Sequence, residues 1–247
     1  MRSLLLVRAD CENEIERALD SGADCLVFDL AWTAAAADKP PARDLTLAGL
    51  KRARQRSDPP LLYVRVNDLH SALTDMDLDS VMPSHPDGIV LPGAQNGADI
   101  QHLSVKLAVR EAELGFGDGA TKIIAMAAAT PASIFEMGSF AGASRRLAGL
   151  IFGADGLASA LGPETRTSPD GTPTPPFALA RSLTLFAAKA ANVMAIDAAS
   201  PSDTDEASLR RMCETARRDG FSGKLAAEPA QLAIINAIFG TRTAAKS

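Results

Sequence analysis

Aromatic side chains are scarce in this 247-residue chain, 4% in all, with one Trp (Trp32) and one Tyr (Tyr63). Its core must therefore be built from Ala, Leu, Ile and Val. Basic clusters are scarce too: no Lys/Arg-rich run is interleaved with aromatics and the net charge is -5, which argues against a nucleic-acid surface. The one basic run, Lys51, Arg52, Arg54 and Arg56, falls at the end of an expected helix, where cations complement the dipole. The three cysteines, Cys11, Cys25 and Cys213, are odd in number, far apart and free of CxxC spacing. That excludes a disulfide framework and a structural zinc site and fits a reducing compartment.

Long apolar runs are also missing. Residues 4–7 are too few for a signal-peptide core, and the longest apolar segment, residues 177–196, is broken by Arg181 and Lys189, so neither secretion nor a membrane span is expected. A cytoplasmic location follows as the expectation. His70, His85 and His102 have no metal spacing and fall in loop or helix. No Gly-x-Gly-x-x-Gly or P-loop pattern occurs, and Lys122 and Lys224 fall at strand starts, away from where a Schiff-base lysine would act. Neither a nucleotide nor a pyridoxal phosphate cofactor is expected.

What is present is 47% hydrophobic and 22% charged sequence, ample for a buried core. Short apolar runs alternate with helical patterns along the whole chain. Strands are expected at residues 4–7, 25–30, 61–66, 88–91, 123–127, 147–152, 193–197 and 224–227. Helices are expected at 12–20, 42–56, 98–114, 177–191, 202–219 and 229–239, with a further helix start at Thr130-Pro131. Eight strands with crossover helices close most naturally into a (β/α)8 TIM barrel, which predicts a single domain over residues 1–240. Residues 163–176 hold five prolines in a connection after the sixth strand, expected as a loop over the active face. Residues 241–247 are expected to be a flexible tail.

Residues 147–162, LAGLIFGADGLASALG, are the organising stretch: a buried strand, a glycine turn that carries an acid, and the start of a short helix. In a parallel α/β fold that is a strand's carboxyl end, where ligands bind. This segment, with IAMAAATP (124–131), LLYVRVN (61–67), DGIVLP (87–92) and GFSGKLAAEPAQ (220–231), resembles the HpcH/HpaI aldolase and citrate lyase β-subunit family. The resemblance covers nearly the whole chain in order. It implies a TIM barrel of the phosphoenolpyruvate/pyruvate-binding type, carbon-carbon lyase or aldolase chemistry next to a carboxylate, often on a CoA thioester, and a homo-oligomer, typically a trimer or a pair of trimers.

It also implies a site. The family's strand-three arginine corresponds to Arg65, whose guanidinium would hold a carboxylate. A glutamate after strand five and an aspartate after strand six would bind Mg2+ or Mn2+, hard cations that take oxygen ligands. Here those positions are Ala129 and Gly156, and the acids that follow strand two are replaced by Ala31 and Trp32. Asp155, beside the lost aspartate, is a weak candidate ligand and the remaining candidate acid. Asp29 survives on strand two and, with Gly153 and Ala154 of the turn, is a candidate substrate-binding residue, and Asp38, Lys39 and Arg43 resemble a segment that reaches CoA phosphates. Arg8 replaces the usual first-loop proline, and Glu228 stands where a histidine is common. A lyase-family protein acting on or binding a hydroxy or oxo carboxylate or its CoA thioester, with a degenerate metal site, is one expectation. A non-catalytic acyl-CoA- or carboxylate-binding relative or partner subunit is the other.

Overall fold

The computed structural model describes residues 1–32, 39–168, 171–201 and 204–240. Eight parallel strands pair in chain order, β1 back to β8, and close a barrel: β1 Ser3–Arg8, β2 Cys25–Asp29, β3 Leu61–Arg65, β4 Gly88–Leu91, β5 Lys122–Ala127, β6 Leu147–Phe152, β7 Met194–Asp197 and β8 Gly223–Ala226. Period-two alternation divides each strand between two apolar layers. Leu4, Cys25, Val27, Tyr63, Val90, Ile124, Ile151, Ile196 and Leu225 fill the barrel, so Cys25 is a core residue as its apolar setting suggested. Leu5, Val7, Leu26, Phe28, Leu62, Val64 and Ile89 face the helices.

The barrel accommodates its one tyrosine through a glycine. Tyr63 pairs in register with Gly88, and a Cβ at Gly88 would lie 2.2 Å from the Tyr63 ring. Between strands run α1 Glu12–Leu19, α2 Lys39–Arg54, α3 Leu73–Val81, α4 Gly97–Leu114, α5 Pro131–Phe135, α6 Ala154–Leu161, α7 Pro175–Ala190, α8 Glu206–Asp219 and α9 Leu232–Gly240. The long α4 is set by its ends: the Asn96 side chain accepts from the Ala98 and Asp99 amides, and Gly115 closes it at φ 73°.

The expected strands lie within two residues of the observed ones. Among the helices, α8 starts at Glu206 and not near residue 202, because Asp205 caps it through the Ser208 amide. Helix α3 is absent from the sequence reading. Its buried face carries Thr74 and Asp77 beside Leu78 and Val81, so no apolar period marks it. The basic run behaves as surface: Arg52, Arg54 and Arg56 pair with Glu16, Asp87 and Asp20. Lys122 is exposed at the start of β5. Lys224 is buried in the outer layer against Asp197 (3.0 Å) and the Ala198 carbonyl (2.6 Å), a structural pair. No described helix is long and apolar enough to cross a membrane. The proline-rich connection carries a bridge between Thr167 and Pro173, with residues 169–170 outside the description. The expected tail 241–247 and Asp38 lie outside it too.

Candidate ligand site at the barrel mouth

Strand parity brings charged residues to the carboxyl ends of the first three strands. Leu4 and Leu6, Cys25 and Val27, and Tyr63 belong to the interior set, so the inward position at each strand end is Arg8, Asp29 and Arg65. Register aligns them side by side, Arg8 opposite Asp29 and Asp29 opposite Arg65. An ionised row inside a barrel is tolerated only where the charges are paired. Asp29, 3% exposed, meets Arg65, 17% exposed, through one bidentate fork: Nε to Oδ1 at 2.7 Å and Nη2 to Oδ2 at 2.7 Å. The Ala31 and Trp32 amides also donate to Asp29 Oδ1, at 3.0 and 3.2 Å.

This geometry fixes the guanidinium plane and leaves its third nitrogen, Nη1, beside the Met126 sulfur at 3.8 Å. Arg65 is thus pinned by two of its nitrogens, and the edge that remains is turned toward β5. Burial pushes the Asp29 carboxyl above its ordinary value, against the pull of Arg65 and the two amides.

Lys39 and Arg43 were expected as phosphate contacts, and the structure directs both inward. Lys39 is buried, donating to the Leu30 carbonyl (2.7 Å) and Asn67 Oδ1 (2.9 Å). Arg43 donates from Nε to Asp77 Oδ1 at 2.8 Å, and Asp77 Oδ2 accepts from the Asn67 amide and side chain at 2.8 and 2.6 Å. Leu30 follows Asp29 and Asn67 lies two residues after Arg65. The network therefore clamps the strand ends that carry the ion pair, and neither cation is left free for a ligand. Burial pulls the Lys39 ammonium below its ordinary value, with Asp77 and Asp29 opposing. Asn67 and Asp77 were not singled out in the sequence, and no signal there marked them, because the helix that carries Asp77 has no apolar period.

The β5 and β6 side of the mouth is apolar. Ala128 is buried at φ 55°, and Thr130 starts α5 in a capping box with Ser133. The Gly153 amide donates to the Ala127 carbonyl at 2.8 Å. An added Cβ at Gly153 would lie 2.8 Å from that carbonyl oxygen, and one at Gly156 would lie 2.8 Å from the Ala129 Cβ and 3.1 Å from the Ala129 carbonyl. The turn before α6 packs directly on the loop after β5. Gly153 and Ala154 stand at this turn, and Asp155 follows on the first turn of α6. Its side chain is 84% exposed and pairs with Arg166 of the proline-rich connection, which is the partner that the expected remaining acid has here.

Among the described residues no group of three or more His, Cys, Asp and Glu side chains is arranged to hold a metal ion. Ala129 and Gly156 offer no donor, and Asp29 is committed to Arg65. The residues at the expected positions do not fit a divalent cation.

The profile of HpcH/HpaI aldolase/citrate lyase matches residues 2–229. The chain belongs to this family. It is 31% identical over 246 residues to a (3S)-malyl-CoA thioesterase of Cereibacter sphaeroides, covering 96% of this chain and 76% of that protein. It is 28% identical over 238 residues to the citrate lyase subunit beta of Haemophilus influenzae, covering 96% and 79%. Among solved structures, RipC from Yersinia pestis superposes with a TM-score of 0.76 at 29% identity, over 99% of this chain and 97% of that one. CitE from Mycobacterium tuberculosis, in complex with magnesium and acetoacetate, gives a TM-score of 0.79 at 24% identity over 100% and 92%. That last likeness establishes the shared barrel.

Proposed function

We propose that this member of the HpcH/HpaI aldolase/citrate lyase family binds a small hydroxy or oxo carboxylate, or its CoA thioester, at the barrel mouth through Arg65, without the divalent cation. The observation that carries the reading is the pinned Arg65: the Asp29 fork orients it while Nη1 remains for a carboxylate. Citrate lyase β-subunits and malyl-CoA thioesterases among the relatives support the ligand class. The empty donor positions at Ala129 and Gly156 support loss of the cation. A metal-dependent carbon-carbon cleavage would need its charge at the developing enolate, so the site is read as a binding site.

Calorimetric titration of the purified protein tests this. Pyruvate and oxaloacetate should bind equally with or without manganese, and manganese alone should give no heat of binding. Arg65→Gln, which keeps one donor for Asp29, should weaken oxo-acid binding at least tenfold. Manganese binding that strengthens with oxaloacetate, or turnover of malyl- or citramalyl-CoA that requires it, would restore the lyase reading. The expected homo-oligomer is carried as part of the proposal, supported by apolar side chains left exposed, Phe135, Leu179 and Phe186. A monomer in sedimentation velocity would refute it.

A further inference from the structure

Two side chains outside the Arg65–Asp29 pair meet in space, Arg8 at the end of β1 and Trp32 just after β2. The Arg8 guanidinium carbon lies 5.7 Å from the Trp32 ring centroid, within range of a cation–π contact. Both are open to solvent, Arg8 at 46% of its side chain and Trp32 at 58%. Arg8 also touches Asp10 Oδ1 at 3.2 Å, Asp10 Oδ2 at 3.3 Å and Glu14 at 3.8 Å. Such exposed pairs hold a side chain weakly and exchange readily for another anion. By contrast, the buried fork on Arg65 is fixed.

Arg8 and Arg65 occupy the same register row with one strand between them, so their backbones stand about 10 Å apart at the usual strand spacing. The two cations flank Asp29, and both sit at inward strand ends.

We propose that Arg8 and Trp32 form a second recognition point at this mouth, which reads the distal carboxylate of a short dicarboxylate whose near carboxylate is held by Arg65. This rests on the Arg65 reading above and deepens it. A ligand with one carboxylate satisfies Arg65 alone. One with two draws Arg8 from Asp10 and Glu14, and the Trp32 ring supplies a flat apolar wall that keeps water from the new pair. Arg8 thus supplies a second positive charge in the same row as Arg65, one strand away.

Trp32 is the single tryptophan, so its fluorescence reports this corner directly. The test titrates the full chain with L-malate and L-lactate, hydroxy acids that differ by one carboxylate, and reads Trp32 emission and calorimetric affinity. Malate should bind at least tenfold tighter than lactate and alter Trp32 emission. Arg8→Gln should remove that advantage, bringing malate to the lactate affinity and leaving lactate unchanged. Arg65→Gln should weaken both acids. Arg8→Lys, which keeps the charge but loses the planar fork, should retain part of the preference. A malate-to-lactate ratio unaltered by Arg8→Gln overturns the second recognition point and leaves the Arg65 reading standing. Failure of the wild-type chain to bind either acid overturns the second recognition point, and failure to bind pyruvate and oxaloacetate as well overturns the Arg65 reading.

Discussion

The two halves of the barrel mouth have been built by opposite rules. On the β1 to β3 side, buried charges are present and, among the described residues, paired: Asp29 with Arg65, Asp77 with Arg43 and Asn67, Lys39 with Asn67 and the Leu30 carbonyl. On the β5 to β6 side, no charged group is buried at the junction among the described residues and the two loops pack closely, with Ala129 against Gly153 and Gly156. A charged network and a close-packed loop junction respond differently to substitution. Removing one partner from the first leaves an uncompensated buried charge; adding atoms to the second overpacks it.

The largest effect should come from breaking the charged half at its hub. Asp77 is fully buried and holds Arg43 and Asn67 together. Asp77→Ala should therefore cost about 3–5 kcal/mol, a fall in Tm on the order of 10 °C for a chain of this size. Thermal unfolding followed by circular dichroism checks it. A loss below about 1 kcal/mol would mean that water or a local shift satisfies Arg43, and the clamp on the Asp29–Arg65 pair would then be dispensable.

Overpacking the other half comes next. Gly156→Asp should cost about 1–3 kcal/mol because its Cβ meets the Ala129 methyl and carbonyl, partly offset by an acid near a helix N-terminus. Ala129→Gly in the same chain should recover about 1 kcal/mol, since the 2.8 Å contact is to the Ala129 Cβ. Restoring the family's acids, Ala129→Glu with Gly156→Asp, should thus destabilise the fold and give no manganese-dependent rise in Tm. Such a rise would show that the junction opens readily and that the two halves differ less than their packing suggests.

Most of the barrel was legible in the sequence because its strands are apolar runs and the breaks between elements are clear, Ser21-Gly22 after α1, Pro92-Gly93 after β4 and the glycines after α4 among them. Helix α3 was not, since the positions it buries include Thr74 and Asp77, which carry no hydrophobic signal. For the site, residue identity set the expectation that Ala129 and Gly156 stand where the resembling motifs carry acids, with Arg65 as the candidate anchor. It did not indicate direction. Lys39 and Arg43 look like free cations in a row of letters, yet they are consumed by Asn67 and Asp77, residues that reach them from β3 and α3. Asp155 is adjacent to the expected position, but each residue along a helix turns the side chain by about 100°, and this one meets Arg166 and solvent.

The pH dependence of stability should separate the mouth from the rest of the molecule. Asp24 is held below its usual range by hydrogen bonding from Arg2, and Asp75 by Lys106. For Glu111 and Asp197 burial works upward but is outweighed, by Arg146 and two backbone amides in one case and by Lys224 and Arg181 in the other. Groups with a depressed folded pKa contribute stability that is complete above their unfolded values, about 4, and is lost as pH falls through the folded ones. Asp29 runs the other way. Its folded pKa is raised by burial, so its contribution is complete below the unfolded value and is lost as pH climbs through the folded one. Urea unfolding across this range should show stability rising with pH, and Asp29→Asn should make that rise steeper just above pH 4. A shallower rise in the variant would mean that Arg65 dominates and depresses Asp29 like the others.

The smallest effect belongs to the backbone at the end of β5. Ala128 is buried at φ 55°, in the left-handed region that costs a residue with a Cβ about 1 kcal/mol relative to glycine. Ala128→Gly relieves that strain but lengthens the list of conformations open to the unfolded chain, an opposing effect of about 0.4–1 kcal/mol. The two nearly cancel, so Tm should change by no more than about 3 °C. A buried alanine with ordinary dihedrals, Ala125 in the middle of β5, supplies the contrast: Ala125→Gly has no strain to release and should lose the full entropic cost together with its methyl contacts. If Ala128→Gly is as damaging as Ala125→Gly, the Ala128 methyl is itself part of the packing that closes the β5 and β6 side, and the strain there is offset by contact. If it is neutral, the strained turn is held from outside, by the Gly153 amide on the Ala127 carbonyl and the capping box that follows it.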